Sequence, residues 1–291
     1  MIRLFGILIG LGFTAAVVWA FGWGAAAVVD QGYLVEETAE HEFHQHPREV
    51  SFASDGPFGK WDLQQLQRGY QVYKEVCSAC HSLKYVAMRD LAQLGYSEAE
   101  VKAEAASWTV PGIDPNTGET NTRPGTPTDY FPSPFANDVM AAAANNNAIP
   151  PDLSLMAKAR HDGPAYVYSL LTGYRDPSKF GLTNGKTLKE EFPDFETPTG
   201  LYFNPYFPNL NLAMAPPLSD GRVTYADGTE ASVDQMATDV AAFLTWTAEP
   251  TLVKRKQTGW AVLAFLLFAT FLAWLAKKQV WAPVVPKRRK D

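Results

Sequence analysis

The sequence predicts a mainly α-helical domain with long loops, followed by a transmembrane helix near the C-terminus. Short segments with apolar residues at helical spacing alternate with loops rich in Gly and Pro, of which the 291-residue chain contains 21 each. Towards the C-terminus, residues 259–276 carry no charged side chain, and Trp260 and Trp274 lie near the two ends of this run. Such a run is long enough to cross a bilayer, and Trp is typical of membrane–water interfaces.

The N-terminal 29 residues are uncharged apart from Arg3. A basic start followed by an apolar run is typical of an export signal, with Ala25-Ala26-Ala27 as a cleavage site, but the run is also long enough to be retained as an anchor. Both alternatives stay open, and in either case the residues that follow would be exported across the membrane. The predicted organisation is residues 1–29 as signal or anchor, 30–250 as the exported domain, 251–278 as a membrane span and 279–291 as a basic tail.

Charge is distributed unevenly along the chain. The formal net charge is −6, but residues 254–291 carry nine basic side chains and one acidic one. This leaves 16 basic against 30 acidic side chains, a net of −14, for residues 1–253. By the positive-inside rule the basic tail is cytoplasmic, and the body lies on the outer face. The acidic body predicts a basic protein partner and excludes nucleic acid, whose phosphates would repel it.

Helices are predicted where a capping residue precedes apolar residues at helical spacing. Asp62 and Asp152 are candidate N-caps, and Ser97 and Ser232 begin sequences that resemble capping boxes. Pro164 suits the first turn of a further helix. The predicted helices span residues 63–76, 97–108, 140–144, 153–160, 163–172 and 233–246.

The remaining segments are predicted to be loops. Residues 110–137 are rich in Pro, Gly, Thr and Asn and are expected to form a long surface loop, as a partner-binding insert or as disorder. Residues 173–211 show poor periodicity and are expected to be packed loops, whose aromatic residues cover either a flat cofactor or an ordinary core. Asp227-Gly228 predicts a turn or a small hairpin over residues 222–229.

The strongest functional signal is Cys77-Ser78-Ala79-Cys80-His81, which contains both cysteines of the chain. Two cysteines separated by two residues and followed by a histidine form the attachment signature of a c-type haem. Each thiol can add across one haem vinyl group, and the imidazole can bind the iron. A thioredoxin-like dithiol would need a βαβ context and a zinc site would need further ligands, neither of which is evident nearby.

A haem that carries electrons needs a second axial ligand, commonly Met, whereas an open position would bind small ligands. Among the six methionines, Met214 lies in a loop that two following prolines stiffen, so little entropy is lost in positioning its thioether. Met140, Met156 and Met236 fall in predicted helices, where Met more often fills the core. Met214 is the first candidate, and the other methionines stay open at this point.

Further blocks along the chain resemble the cytochrome c1 family, in its alphaproteobacterial form. This family is the haem subunit of the cytochrome bc1 (quinol–cytochrome c reductase) complex. The match runs from about residue 56 to the C-terminus, and these blocks in this order are far more specific than a lone haem motif. The blocks are Arg68-Gly69-Tyr70-Gln71-Val72-Tyr73, Pro150-Pro151-Asp152-Leu153-Ser154, Lys158-Ala159-Arg160-His161, Leu170-Leu171-Thr172-Gly173-Tyr174, Leu201-Tyr202-Phe203-Asn204-Pro205-Tyr206-Phe207, Met214-Ala215-Pro216-Pro217-Leu218, Asp239-Val240-Ala241-Ala242-Phe243-Leu244 and Ala248-Glu249-Pro250.

The resemblance implies a class I cytochrome c-like fold with one covalently bound haem c. Cys77 and Cys80 would form the thioethers, and His81 and Met214 would be the axial ligands of the iron. Arg160, which by itself fits a solvated cation at a helix end, is implied to meet a haem propionate. The residues implied to line the haem pocket are Asn146, Pro150, Pro151 and Tyr174. Some bacterial relatives have an additional disulfide near the haem, for which this sequence has no cysteines.

The function that the resemblance implies is one-electron transfer, with no substrate-transforming site on this chain. The chain would accept electrons from a Rieske iron–sulfur protein and pass them to a basic cytochrome c, in contact with cytochrome b and membrane lipid. The implied location is a bacterial inner membrane, with the haem domain on the periplasmic side. The alternatives are a membrane-tethered c-type cytochrome of another respiratory complex, a haem-based sensor and a thiol oxidoreductase.

Overall fold

The centre of the fold is the crossing of two helices that lie far apart in the sequence. The computed structural model describes residues 2–30 and 38–284. Within these ranges the helices are α1 (Ile2–Asp30), α2 (Ala39–Phe43), α3 (Leu63–Glu75), α4 (Glu98–Ala106), α5 (Asp138–Ala144), α6 (Met156–Ala159), α7 (Gly163–Leu171), α8 (Leu188–Glu191), α9 (Val233–Ala248) and α10 (Leu252–Trp281). Two antiparallel strand pairs join β1 (Thr109–Ile113) to β2 (Thr120–Pro124) and β3 (Tyr202–Phe203) to β4 (Asn211–Leu212). The predicted mainly α-helical class with long loops is confirmed.

Helices α3 and α9 cross at Gly69. A Cβ atom on this residue would lie 2.1 Å from the backbone oxygen of Asp239 and 2.6 Å from the Cβ atom of Phe243, so only glycine allows so close an approach. After the crossing, the rings of Tyr70 and Tyr73 lie 5.7 and 5.9 Å from the ring of Phe243. These aromatic contacts fix α3, whose C-terminal end leads into the haem motif.

The N-caps predicted for three helices are present. The carboxylate of Asp62 accepts hydrogen bonds from two backbone N–H groups in the first turn of α3. Ser97 and Glu100 form a reciprocal capping box at α4, and the hydroxyl of Ser232 caps α9. These contacts satisfy N–H groups that have no partner inside the helix.

The prediction of one long loop over residues 110–137 is wrong, because strands β1 and β2 form a hairpin there. Its turn is held by Asp114, whose carboxylate accepts hydrogen bonds from two backbone N–H groups, and by Gly118, which has a φ of 73°. Val110 is the one buried residue in the two strands. The hairpin therefore lacks the alternation of apolar and polar residues by which strands are predicted.

The helix predicted over residues 153–160 is much shorter, since α6 covers four residues. Asp152 does not cap it. Its carboxylate instead accepts hydrogen bonds from the hydroxyl of Ser82 and the backbone N–H of Lys84, both at 2.8 Å. The turn predicted at Gly228 is present, with a φ of 78°, and is not flanked by strands.

Buried apolar residues form two separate clusters. The larger one joins α3, α4, α7 and α9, and its fully buried members include Tyr73, Met236 and Trp246. The smaller one joins α2, α8 and β3, and consists of Ala39, Phe43, Leu188, Phe203 and Leu210. Much of the aromatic content of residues 173–211 therefore builds an ordinary core.

Among the residues that the structure describes, two helices are long and apolar enough to cross a membrane, judged by length and composition. They are Arg3–Val28 within α1, and α10. The large apolar side chains of Arg3–Val28, and those of α10 from Trp260 onwards, are exposed in the isolated chain, whereas Leu252 at the start of α10 is buried. The C-terminal span was predicted over residues 251–278, and α10 covers Leu252–Trp281. Residues 285–291, which include most of the predicted basic tail, lie outside the described residues.

Candidate haem site

The Cys77–His81 motif follows directly on the C-terminal end of α3. Helix α3 ends at Glu75, and Cys77–Ala79 continue as one 3₁₀ turn. The backbone N–H groups of Cys80 and His81 both donate to the carbonyl oxygen of Cys77, at 3.1 and 2.8 Å. The five residues of the motif therefore form one tight turn, carried by a helix that is fixed in the larger apolar cluster.

Both thiols of the motif are free and partly buried. Burial, with a further contribution from the neighbouring Cys80, raises the pKa of the Cys77 thiol to about 12. A thiol–disulfide exchange pair needs a lowered pKa, because the thiolate is the reactive form. The surroundings of Cys77 therefore disfavour the dithiol alternative.

The imidazole of His81 is oriented by one hydrogen bond. Its Nδ1 lies 2.8 Å from the carbonyl oxygen of Pro151, which can only accept, so Nδ1 carries the hydrogen and Nε2 keeps its lone pair. Burial lowers the pKa of His81 and outweighs the effect of the Pro151 carbonyl, which keeps the ring neutral. A neutral imidazole with its second nitrogen fixed in this way is the arrangement found in histidines that bind metals.

The segment that holds His81 is itself held by the residues after the motif. The Asp152 carboxylate accepts hydrogen bonds from the Ser82 hydroxyl and the Lys84 backbone, and the backbone N–H of Leu153 donates to the Ser82 carbonyl oxygen at 2.9 Å. Pro150, at the start of this segment, is half-buried. Asp152 therefore supports the segment that holds His81. From the sequence it was predicted to cap the next helix, because its true partners lie about 70 residues away along the chain.

Met214 lies half-buried in the loop that follows β4. Strand β4 pairs with β3, and the hydroxyl of Tyr174 donates a hydrogen bond of 3.0 Å to the carbonyl oxygen of Met214. Burial raises the pKa of Tyr174 above its ordinary value, so the hydroxyl stays protonated and can donate. The backbone is therefore constrained both before Met214 and at Met214 itself.

The other methionines of the described residues are placed differently. Met88 and Met236 are fully buried in the larger apolar cluster, Met156 packs at its edge, and Met140 is exposed. All four belong to helical segments. Met214 differs from them because it lies in an irregular loop.

Two further predicted residues have local partners. Arg160 is exposed after α6, and its guanidinium donates to the carbonyl oxygen of Ala159 at 3.3 Å. Burial raises the pKa of Tyr166, and the nearby positive charge of Arg160 opposes this effect. Asn146 donates through its side-chain amide to the carbonyl oxygen of Gly200 at 3.0 Å. Tyr166 also lies close enough to Tyr174 to contribute to the raised pKa of that residue. Sequence reasoning missed Tyr166, because nothing in the local sequence distinguishes it from the other apolar residues of α7.

The chemistry of these groups fits a c-type haem. The motif supplies two neutral thiols at the spacing of the haem vinyl groups and an imidazole with a free Nε2. Met214 supplies a thioether from a constrained loop. Cys77, Cys80, His81 and Met214 are all half-buried, as is expected of side chains that face a cofactor, and Cys77 also packs against the larger apolar cluster.

Comparison with known proteins gives a consistent result. A model of the Cytochrome C1 family matches residues 52–284. "Cytochrome c1" of Rhodospirillum rubrum is 49% identical over 79% of this chain and 85% of its own length. "Cytochrome b/c1" of Bradyrhizobium diazoefficiens is 42% identical over 89% of this chain but only 39% of its own length. "Cytochrome b-c1 complex catalytic subunit, mitochondrial" of Candida albicans is 38% identical over 96% of this chain and 92% of its own length.

The match to the family covers both halves of the site, from the loop before α3 to the end of α10. It includes the haem motif, the segment at Pro151 and the loop at Met214. The relatives extend this similarity over nearly the whole chain. The chain therefore belongs to the cytochrome c1 family, and its cofactor is a haem.

Proposed function

We propose that this chain is the electron-transfer subunit of a quinol–cytochrome c reductase (bc1) complex. It accepts single electrons from a Rieske iron–sulfur protein and passes them to a cytochrome c. The observation that carries the proposal is the hydrogen bond between His81 and Pro151, because it leaves an imidazole nitrogen free for iron beside two thiols at the attachment spacing. The name of the Candida albicans relative, a cytochrome b-c1 complex subunit, supports the assignment to that complex.

One haem is held covalently in this proposal, through Cys77 and Cys80, with His81 and Met214 as its axial ligands. The bound haem supplies reversible one-electron chemistry at its iron. The chain orients both ligands, His81 through Pro151 and Met214 through its constrained loop. His81 and Met214 would together hold the iron and leave no position open to small ligands, which would favour electron transfer over sensing.

The remaining residues complete the proposed pocket. Arg160 offers its guanidinium to a haem propionate, because Arg binds carboxylates through paired N–H groups. Its charge lies close enough to Tyr166 to affect the pKa of that residue, and Tyr166 in turn affects the pKa of Tyr174, which supports a place for Arg160 near the Tyr174–Met214 contact. The residues proposed to form the pocket wall are Asn146, Pro150, Pro151 and Tyr174.

Cytochrome b and the Rieske protein are the proposed neighbours within the complex. The Bradyrhizobium diazoefficiens relative is named cytochrome b/c1, and this chain matches only 39% of its length. A name that joins the two cytochromes supports cytochrome b as a neighbour of this chain. A basic cytochrome c is the proposed acceptor, because residues 1–253 carry a net charge of −14. Complementary charge raises the association rate of such partners.

The proposed location is a bacterial inner membrane, with residues 30–250 on the periplasmic side and the tail of residues 279–291 in the cytoplasm. Residues 251–278 form the proposed span within α10. Lys278 supports the C-terminal end of this span, because its ammonium lies 4.0 Å from the ring centroid of Trp274, a pairing suited to a membrane–water interface. The orientation is proposed from the nine basic side chains of residues 254–291. Residues 1–29 either act as a cleaved signal or remain as an anchor.

The test is purification of the tagged chain from solubilised membranes, followed by a haem-stained denaturing gel. We expect the stain to remain on this chain, and cytochrome b and a Rieske protein to co-purify with it. The double variant Cys77→Ala/Cys80→Ala should lose the stain, which controls for trapped haem.

Three other outcomes would contradict the proposal. Covalent haem without those partners would indicate a tethered c-type cytochrome of another complex. Ready binding of CO to the reduced protein would indicate an open axial position and a sensor. A colourless protein would indicate a thiol oxidoreductase.

A further inference from the structure

The loop of residues 52–60 is a rigid element rather than a loose connection. Phe52, at its start, is buried in the larger apolar cluster. The backbone N–H of Phe52 donates to the Asp55 carboxylate at 2.7 Å, and the backbone N–H of Lys60 donates to the carbonyl oxygen of Ala53 at 2.9 Å. The loop is therefore rooted in the core and closed by its own hydrogen bonds.

The 52–60 loop contacts α10 at two levels. The ammonium of Lys256 donates to the carbonyl oxygens of Ser54 and Gly56, both at 2.8 Å. The ring of Phe58 stacks on the ring of Trp260, with a centroid distance of 5.3 Å and an interplanar angle of 12°. Lys256 and Trp260 are one helical turn apart, about 6 Å along the axis. Two contacts at different heights fix the angle between the loop and the helix.

Phe58 is 77% exposed despite its stacking on Trp260. Trp260 stands at the start of the uncharged run of α10, so Phe58 lies level with the outer end of the proposed membrane span. Aromatic side chains at this level of a span are typical of the lipid headgroup region. Lys254 precedes Trp260 on α10 and is exposed, which places positive charge where lipid phosphates would lie. The adjacent Arg255 is also exposed, but its guanidinium is paired with Glu249 at 2.6 Å.

We propose that the 52–60 loop inserts Phe58 into the outer headgroup region of the bilayer, so that phospholipid covers this side chain. The inference rests on the proposed membrane span of α10. Two features favour lipid as the occupant: the stacking of Phe58 on Trp260 and the positive charge next to them. A protein neighbour is the other possible occupant and is an outcome of the test.

The insertion has a consequence for the haem. Helix α3 begins at Leu63, three residues after the 52–60 loop, and leads directly to Cys77. A loop fixed both in the membrane surface and in the core would therefore set the height and tilt of the motif above the bilayer. The loop would then add a second attachment point next to the span of α10.

The test uses the full chain in nanodiscs of phosphatidylcholine and phosphatidylglycerol, with a nitroxide on Phe58→Cys. The two native thiols are consumed in the proposed haem attachment, so the label reports on the introduced cysteine. Ile113→Cys is the matched control, because Ile113 is an apolar residue of similar exposure on the β1–β2 hairpin. Phe268→Cys, within α10, reports separately on the membrane span.

We expect the label at residue 58 to be relaxed more by dissolved oxygen than by a water-soluble nickel chelate, and the label at residue 113 to show the reverse. Equal access of the chelate to residues 58 and 113, with residue 268 lipid-exposed, would overturn the insertion and leave the span intact. Chelate access at residue 268 would instead refute the span. Protection of residue 58 from both reagents in the complete complex would assign Phe58 to a protein neighbour. If Phe58→Cys does not fold, the same measurement at Pro57→Cys decides the question.

Discussion

The hydroxyl of Tyr174 donates a hydrogen bond of 3.0 Å to the backbone carbonyl oxygen of Met214. Both cysteines of the chain lie in the haem motif, so no disulfide within the chain can stiffen the Met214 loop once they bind haem. The hydrogen bond and the adjacent β3–β4 pairing are non-covalent constraints on the same stretch of backbone. They restrict the backbone at the residue whose thioether is proposed to bind the iron.

Replacing Tyr174 with Phe should therefore loosen the proposed axial ligand. The variant loses one hydrogen bond to a partly buried carbonyl, a contribution of about 1 kcal/mol. We expect the far-red Met-to-iron absorption band of the oxidised protein to disappear at a lower temperature than in the wild type. Tyr202→Phe is the control, because Tyr202 is a neighbouring but exposed tyrosine. Identical melting of the band in both variants would show that Tyr174 does not position Met214.

Replacing Met214 with Leu should remove the ligand itself. We expect the Met-to-iron band to be lost, the midpoint potential to fall strongly and the reduced protein to bind CO, because the sixth position opens. Met140→Leu is the matched control, since Met140 is exposed on α5. An unchanged spectrum for Met214→Leu would mean that another residue is the ligand.

The features that could be predicted from the sequence are those fixed by contacts between residues that lie close together along the chain. The caps at Asp62, Ser97 and Ser232 were predictable, because each side chain contacts the first turn of its own helix. Cys77, Cys80 and His81 could be identified because haem attachment needs them within five consecutive residues.

The unpredicted features depend on contacts between distant parts of the chain. Asp152 has a local capping alternative, but its partner Ser82 lies 70 residues earlier, and nothing in the local pattern reveals that contact. The β1–β2 hairpin escaped prediction because its strands are almost wholly exposed and contain Pro111 and Gly112. Tyr166 was missed because nothing in the apolar sequence of α7, which also contains Tyr168, distinguishes it.

The crossing of α3 and α9 predicts the effect of Gly69→Ala. The added Cβ atom would lie 2.1 Å from the Asp239 carbonyl oxygen, so the two helices must separate or shift. Overpacking of this kind costs about 1–3 kcal/mol, and we expect a loss of that size in the free energy of unfolding by denaturant. Gly259→Ala is the control, because a Cβ atom at Gly259 has no neighbour within 4 Å. Equal stability of the two variants would contradict the close approach at Gly69.

Glu104 gives a prediction for acid stability. Burial opposes ionisation of its carboxyl, but hydrogen bonds from Lys74 and Tyr70 outweigh burial and hold its pKa below the ordinary value. Because the folded pKa is depressed, the stabilisation is complete above the unfolded pKa of about 4.3 and is lost as the pH falls through the folded value. We expect Glu104→Gln to be less stable than the wild type by about 1–3 kcal/mol at pH 7.

The measurement is denaturant unfolding of both proteins over a range of pH. The difference between them should stay constant from pH 6 to 8 and shrink below about pH 4, where the wild-type carboxyl becomes protonated too. Glu98→Gln is the control on the same helix, since Glu98 is fully exposed and pairs only with Lys102 across the helix surface. A difference that persists unchanged at acid pH would show that the charge of Glu104 contributes nothing.

The acidic body predicts how the rate of electron transfer to a basic cytochrome c depends on salt. At low ionic strength, the net charge of −14 on residues 1–253 would attract such a partner before the two proteins touch. Because the Debye length shortens to about 10 Å at 0.1 M salt, we expect the second-order rate constant to fall steeply as salt rises, while the rate with a small uncharged oxidant stays constant. Stopped-flow oxidation of the reduced complex measures both. A rate constant for cytochrome c that is flat with ionic strength would show that the acidic charge lies away from the face where electrons leave.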